Sequence, residues 1–348
     1  MTRFRHSFVL CSFILSLLAA CVSPFAPAAP TGTPSETPTA FSPPPTATWT
    51  PAAPDPGEPP IVSMTPTEAG PARPAVERVL IVSYDGMRPD AIFPAPMPEL
   101  LALEASGAYS LQARTIFPSS TLPTHASMLT GLCPAEHGVD WNSYNPLLGY
   151  AEGTDLFDLA HAAGLRTAML VSKDKLRQVT EPESTDVFEY INDRGLVIAQ
   201  YAADEIIPGG FGLLFVHFPT ADWMGHEHGW MSPEYLDVLR QDDRALGILL
   251  AALEAAGLRD STLVIVTADH GGHEETHGSD LPEDMSIPWV LSGPGVLAMP
   301  ITNPVNTTDT AATAAWALGL TIPPEWDGVP VYEAFGLPYQ ERPSPRCP

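Results

Sequence analysis

The chain has 348 residues, 40 of them proline, and sets 41 acidic side chains against 16 Lys and Arg, a formal charge of −25 with a pI near 4.5. Binding to nucleic acid is dominated by Lys and Arg neutralising phosphates, so this balance speaks against a polyanion-binding surface. The first quarter lacks the apolar periodicity of a folded domain, which leaves the remainder to form one.

Met1 to Ala20 reads as a secretory signal: Arg3 and Arg5 precede an apolar run from Phe8 to Leu18 that is short for a membrane span. Leu18-Ala19-Ala20-Cys21 matches the pattern of a bacterial lipobox, in which the cysteine becomes a lipidated N-terminus; an ordinary signal peptide with an incidental cysteine is the alternative. Both readings export the protein, and the first anchors it in the cell envelope, facing away from the cytoplasm. Residues 21–75 include PTGTPSETPTAFSPPPTATWTPAAPDPGEPP, a composition that cannot bury a core and that proline holds extended. They are read as a disordered stalk carrying the lipidated Cys21. Residues 76–340 are read as the folded domain and 341–348 as a tail, and roughly 270 residues suffice for one well-buried domain. With Cys11 in the signal and Cys21 in the lipobox, Cys133 and Cys347 remain free to pair outside the cytoplasm, although sequence alone does not bring them within bonding distance.

Within the domain, short apolar runs alternate with helical stretches, which predicts an α/β fold: a mostly parallel central sheet with helices on both faces. Strands are expected at Val79–Tyr84, Thr167–Ser172, Leu213–Phe218, Leu263–Thr267 and Trp289–Ser292. Helices are expected at Pro98–Ser106, Thr124–Thr130, Leu156–Ala163, Glu234–Ala256 and Thr308–Leu318. The helix from Glu234 carries Leu236, Leu239, Leu246, Leu249, Leu250 and Leu253 on an amphipathic stripe, more a core face than a binding site.

Chemistry-bearing residues follow the strands. Asp85 follows RVLIVSY, Asp222 and His226 follow GLLFVHFPTA, and Asp269 and His270 follow STLVIVTA, with His277 in HGSD just beyond. In open parallel sheets ligands bind beyond the carboxyl ends of strands, so these side chains can reach one rim. Asp222 and His226 are spaced i, i+4 and share a face if their segment is helical. Thr121 precedes Pro123 and the run HASMLTG, where a helix N-terminus would favour a bound phosphate; a plain N-cap at Ser120 or Thr121 is the alternative. Oxygen and nitrogen ligands with one hydroxyl are what two adjacent divalent metals and a nucleophile require.

The segments VSYDGMRPD, FPSSTLPTHASMLTGLCPAEHGVDWN, DWMGHEHG, TADHGG and HGSD, followed late by WDGVP, resemble in order the alkaline phosphatase superfamily, and within it the nucleotide pyrophosphatase/phosphodiesterase family. The resemblance covers nearly all of the chain after the stalk and makes residues 76–340 a catalytic domain. It implies an extracytoplasmic phosphodiesterase or nucleotide pyrophosphatase with two zinc ions and a small phosphate-ester substrate. One ion would lie with Asp222, His226 and His277, the other with Asp85, Asp269, His270 and the Thr121 oxygen. It also implies that Thr121 is the nucleophile and that Asn142 donates to a non-bridging phosphate oxygen; by its residues alone Asn142 is equally a turn asparagine. His228 and His273 stand near ligands and are candidates for supporting them.

The chain departs from the family after the nucleophile, where Leu122 replaces the usual aromatic wall of a nucleotide-base slot, with Trp141, Tyr144, Trp223 and Trp230 as candidate substitutes. Cys133-Pro134-Ala135 does not fit the sulfatase nucleophile motif. A phosphomonoesterase of the same superfamily and a metal-dependent binding module without activity are the remaining alternatives. Asp and His ligands also accept manganese or iron.

Overall fold

Val79, Leu80, Ile81 and Val82 are apolar at successive positions rather than alternate ones, the pattern of a strand covered on both faces, and β1 (Arg78–Tyr84) lies inside the sheet. The computed structural model describes residues 73–341 and Cys347, so the signal, the lipobox and nearly all of the stalk expected above lie outside the described residues. Further strands are β2 (Ala108–Arg114), β3 (Thr167–Val171), β4 (Val187–Tyr190), β5 (Leu213–Phe218), β6 (Thr262–Ala268), β7 (Ser286–Ser292) and β8 (Met299–Pro300). They form one eight-stranded sheet in the order β4-β3-β5-β1-β6-β7-β2-β8. It is mostly parallel; only β7 runs against its neighbours β6 and β2 among the described residues.

The helices are α1 (Pro98–Ser106), α2 (Thr121–Thr130), α3 (Pro134–His137), α4 (Leu156–Ala162), α5 (Gly195–Tyr201), α6 (Thr220–His228), α7 (Pro233–Ala255), α8 (Pro282–Met285) and α9 (Asp309–Ala317). α1, α5 and α6 pack on α7 as one layer, while α2, α4 and α9 pack on one another as a second. Each expected element is present to within three residues, the largest differences being at β7, which begins at Ser286 rather than Trp289, and at α2, which begins at Thr121 rather than Thr124. Pro123 sits in its first turn, where a missing N–H costs no intrahelical bond. Strands β2, β4 and β8 lack a long apolar run and were not expected; each lies toward an edge of the sheet, where less burial is demanded.

Helix α7 buries Leu239, Leu246, Leu249 and Leu253, as its stripe predicts, and also Asp242 and Asp243, which the stripe does not. Asp243 has a clear function: its carboxylate accepts from the backbone N–H of Glu99 and Leu100, capping α1 across the helix interface. Asp242 accepts only from the Thr220 hydroxyl at 3.2 Å, and burial pushes it up to about 8. A carboxyl held above its unfolded value near 3.9 stabilises the fold fully below that value and loses this contribution as pH rises through 8. Asp242→Asn is therefore expected to match the parent near pH 4 and to gain on it up to pH 8, by a few kcal/mol at most. Melting temperatures of both proteins across that range test it, and a constant difference would refute the assignment.

Two long-range ties hold the end of α2. The Asp327 carboxylate of WDGVP accepts from Cys133 N at 2.8 Å, and Gly328 N donates to Gly131 O. Cys133 and Cys347 form a disulfide, resolving the pairing that the sequence left open.

Candidate metal centre

Strands β5, β1 and β6 are neighbours and parallel, so their carboxyl ends open on one rim. Asp85 directly follows β1, Asp269 and His270 directly follow β6, and the chain leaving β5 turns into α6, which carries Asp222 and His226 one turn apart. His277 reaches the same rim from the loop before α8. Its Nε2 lies 3.5 Å from Asp222 Oδ1, and His226 Nε2 lies 3.4 Å from the same oxygen. His270 Nε2 lies 3.5 Å from Asp85 Oδ1 and 3.3 Å from Asp269 Oδ2. It also lies 4.0 Å from Asp222 Oδ1, so it stands between the two groups of ligands rather than in one alone.

These residues fit a metal pair by what they leave unpaired. Asp85 Oδ1, Asp222 Oδ1, Asp269 Oδ2 and His270 Nε2 are buried without a hydrogen bond, although orphaned buried polar atoms are costly. The other atom of each side chain is committed. Asp269 Oδ1 accepts from the N–H of Gly86 and His270, and Asp85 Oδ2 lies 2.8 Å from His217 Nε2. The histidines repeat the theme: Nδ1 of His270 meets Gly271 O, Nδ1 of His277 meets Ser119 O, and Nδ1 of His226 meets Glu275 O. A carbonyl only accepts, so each Nδ1 carries the proton and each Nε2 lone pair points inward, the arrangement of metal-ligating imidazoles. Burial and the adjacent His277 push His270 down to about 3, which keeps it neutral. Asp222, His270 and His277 form one group of ligand atoms within 4.8 Å of one another, and Asp85, Asp269 and His270 form a second.

Three further side chains complete the centre and escaped the sequence reading. Lys173 Nζ lies 2.7 Å from Asp85 Oδ2 and 2.6 Å from Asp222 Oδ2, and donates at 3.3 Å to Thr121 Oγ1. It takes the Oδ2 atoms and leaves both Oδ1 atoms to a cation. Burial alone would lower its pKa, but Asp85 and Asp222 outweigh that and raise it, so it stays charged. Lys175 Nζ donates to Asn142 Oδ1 at 2.8 Å. The readable signal was position: SKDK follows β3 at its carboxyl end, under the same rule that selected Asp85. The third is His217, which joins Asp85 Oδ2 to the Ser172 hydroxyl.

The remaining histidines sort differently from expectation. His125 bridges the centre from below, with Nδ1 on Thr121 O and Nε2 on Ser83 Oγ. His228 lies beside Glu227, and His273 pairs with Asp284, so neither touches a ligand side chain; the supporting histidines are His217 and His125. Thr121 is the first residue of α2, and Ser120 before it makes no side-chain cap, which removes the capping account. Asn142 Oδ1 accepts from Leu122 N at 3.0 Å as well as from Lys175, so the exposed amide presents Nδ2 outward.

The sequence profile of the type I phosphodiesterase / nucleotide pyrophosphatase family matches residues 79–286, which contain every residue of this centre. The chain belongs to that family. Human ectonucleotide pyrophosphatase/phosphodiesterase family member 5 is 26% identical over 220 residues, 57% of this chain and 46% of the relative. The human GPI ethanolamine phosphate transferase 2 catalytic subunit is 28% identical over 291 residues, 77% of this chain and 29% of the relative. The chain thus spans less than half the length of these curated relatives. Among solved structures, murine ectonucleotide pyrophosphatase/phosphodiesterase 5 superposes with a TM-score of 0.61 at 19% identity, covering 75% of this chain and 99% of that one. A 2-O GAG sulfatase superposes with a TM-score of 0.63 at 14% identity, covering 78% and 76%. At such identities the likeness is one of fold, the α/β architecture of the alkaline phosphatase superfamily.

Against that family pattern, the position after Thr121 is decided by packing. Leu122 is fully buried and lines no slot. Trp230 is core as well: its indole N–H donates to Gly86 O at 2.9 Å, and its ring lies 5.1 Å from that of His226. Tyr144 is exposed and lines a separate cavity of about 340 Å³ with Tyr150, Arg177 and Phe188.

Proposed function

We propose that this member of the type I phosphodiesterase family is an exported, lipid-anchored hydrolase of small phosphate esters, with Thr121 as nucleophile and two zinc ions as cofactors. The observation that carries the reading is the set of four orphaned, buried ligand atoms facing one another beside the Thr121 hydroxyl. A bound divalent pair supplies Lewis-acid stabilisation of the charge on phosphorus and on the leaving oxygen. Asp222, His226 and His277 would hold one ion; Asp85, Asp269 and His270 the other, with His270 reaching toward both.

The chain's own residues account for the rest. A threonine hydroxyl is barely ionised at neutral pH, and the charged Lys173 ammonium donating to its oxygen favours the alkoxide. Thr121 is fully buried, and the ammonium that donates to its oxygen is itself held by the two shorter contacts to Asp85 and Asp222. Oγ1 then attacks phosphorus as the bond to the leaving oxygen breaks, the threonine proton ends on the departing group, and water hydrolyses the phosphothreonine ester, returning one proton to Oγ1 and releasing the phosphorylated product. The free Nδ2 of Asn142 donates to a non-bridging oxygen throughout.

Family membership supports a phosphodiester or pyrophosphate substrate. Turnover of bis-p-nitrophenyl phosphate by the protein loaded with zinc, abolished by a chelator and restored by added zinc, is the expected result. Zinc uptake without turnover of any phosphate ester would instead support a binding module.

A further inference from the structure

The donors around Thr121 are unequally spent, and the difference points to the charge of the substrate. An ammonium has three N–H groups. Those of Lys173 go to Asp85, Asp222 and Thr121, so it is a positioning residue. Lys175 commits one N–H, to Asn142 Oδ1, and is half-buried among residues that leave its other two unpaired. Asn142 Oδ1 is saturated by Lys175 and Leu122 N, so its Nδ2 is uncommitted too. A lysine ammonium and an amide NH₂, braced against each other, therefore hold free donors beside the nucleophile. In a chain with 16 basic residues against 41 acidic ones, two lysines two positions apart at one strand end concentrate scarce positive charge there.

This bears on substrate class, and rests on the reading that Thr121 accepts a phosphoryl group. A phosphomonoester presents three non-bridging oxygens and about two negative charges, whereas a diester has one of those oxygens esterified and one charge. A lysine ammonium with unspent N–H groups favours the first over the second, because charge-assisted bonds to phosphate oxygens are the strong ones. The missing aromatic wall after Thr121 agrees: Leu122 is buried, so charge rather than base stacking holds the substrate at this end.

We propose that Lys175 and Asn142 form a subsite for a terminal phosphate dianion, giving the Thr121 site a phosphomonoesterase activity beside its diester chemistry, with Lys175 as the specificity-determining residue. In that reaction the bond from phosphorus to the ester oxygen breaks as the bond to Thr121 Oγ1 forms, and the threonine proton ends on the departing alcohol. Water then takes the phosphoryl group, one of its protons returns to Thr121, and hydrogen phosphate leaves.

The test compares p-nitrophenyl phosphate with bis-p-nitrophenyl phosphate for the full zinc-loaded chain. The parent is expected to turn over both. Lys175→Met should lower kcat/KM on the monoester about 100-fold and on the diester only about fivefold, and Lys175→Arg should keep the parent's ratio. Equal losses on both esters, the result if Lys175 merely props Asn142, would overturn the proposal, as would no loss. Inorganic phosphate titrated calorimetrically into Thr121→Ala and Thr121→Ala/Lys175→Met proteins gives a readout independent of turnover. Weaker binding by about tenfold in the second is expected, and equal affinity overturns the subsite. If Thr121→Ala retains the parent's turnover, the nucleophile reading falls and this proposal with it. If Thr121→Ala is inactive while the ester ratio and phosphate affinity ignore Lys175, the subsite alone falls.

Discussion

Thr121→Ala is expected to lower kcat on the better ester by at least about 10³-fold while leaving helix content and metal content unchanged. The size follows from the role: without a hydroxyl no covalent phosphoryl-enzyme forms, and the remaining site offers only electrostatic help to water. The structural neutrality follows from the geometry. Thr121 opens α2, its side chain caps nothing, and its one side-chain hydrogen bond is the long contact from Lys173. Alanine is also the better helix former, so the first turn of α2 does not weaken. Circular dichroism and elemental analysis alongside the assay separate a lost nucleophile from a lost fold. A decline of less than tenfold would remove Thr121 from the chemistry.

Stripping metal from the protein is expected to lower its melting temperature by about 10 °C and to abolish turnover, both reversed by zinc. Asp85, Asp222 and Asp269 are buried within one cluster, and burial together with the neighbouring Asp85 holds Asp269 well above the usual carboxylate range. Lys173 neutralises part of this charge through the Oδ2 atoms of Asp85 and Asp222, but the Oδ1 atoms and Asp269 Oδ2 stay unpaired. A ligand present at 1,000 times its dissociation constant adds about 4 kcal/mol to the folded state, which at roughly 2–4 °C per kcal/mol for a domain of this size is a shift of about 10 °C. Differential scanning calorimetry with and without chelator, repeated with manganese and iron, reads both the stabilisation and the preferred ion. A melting curve indifferent to chelator and to all three metals would mean that the orphaned atoms do not hold a cation.

Most of the scaffold was legible because its signals are local. Runs such as RVLIVSY and STLVIVTA announce strands buried on both faces, and a residue directly after such a run must emerge at the carboxyl rim. That argument finds Asp85, Asp269 and His270 without any knowledge of strand order. Asp222 and His226 needed only a helix, since a one-turn spacing aligns them. Strands β2, β4 and β8 were illegible because edge positions require little burial, and the buried Asp242 and Asp243 sit on a helix face that periodicity marks as apolar.

Lys173 and Lys175 obey the same rim rule, but nothing in the sequence sets them apart from ordinary surface lysines. A lysine in a loop is by default solvated, and only the approach of Asp85 and Asp222 from strands distant in sequence makes it a counter-ion. Likewise, nothing in the order of residues distinguishes His217, inside β5, from a core histidine until Asp85 and Ser172 are seen on either side of it.

Sequence by itself therefore determined the kinds of ligand, the strands that deliver them and the family, because each depends on patterns within a few residues of chain. Tertiary structure alone decided which atoms of those side chains stay free, that Lys173 reaches Thr121 while Lys175 reaches Asn142, and that Cys133 meets Cys347. These depend on distances of a few ångströms between segments tens to hundreds of residues apart, which only the packing of the sheet and its helices sets.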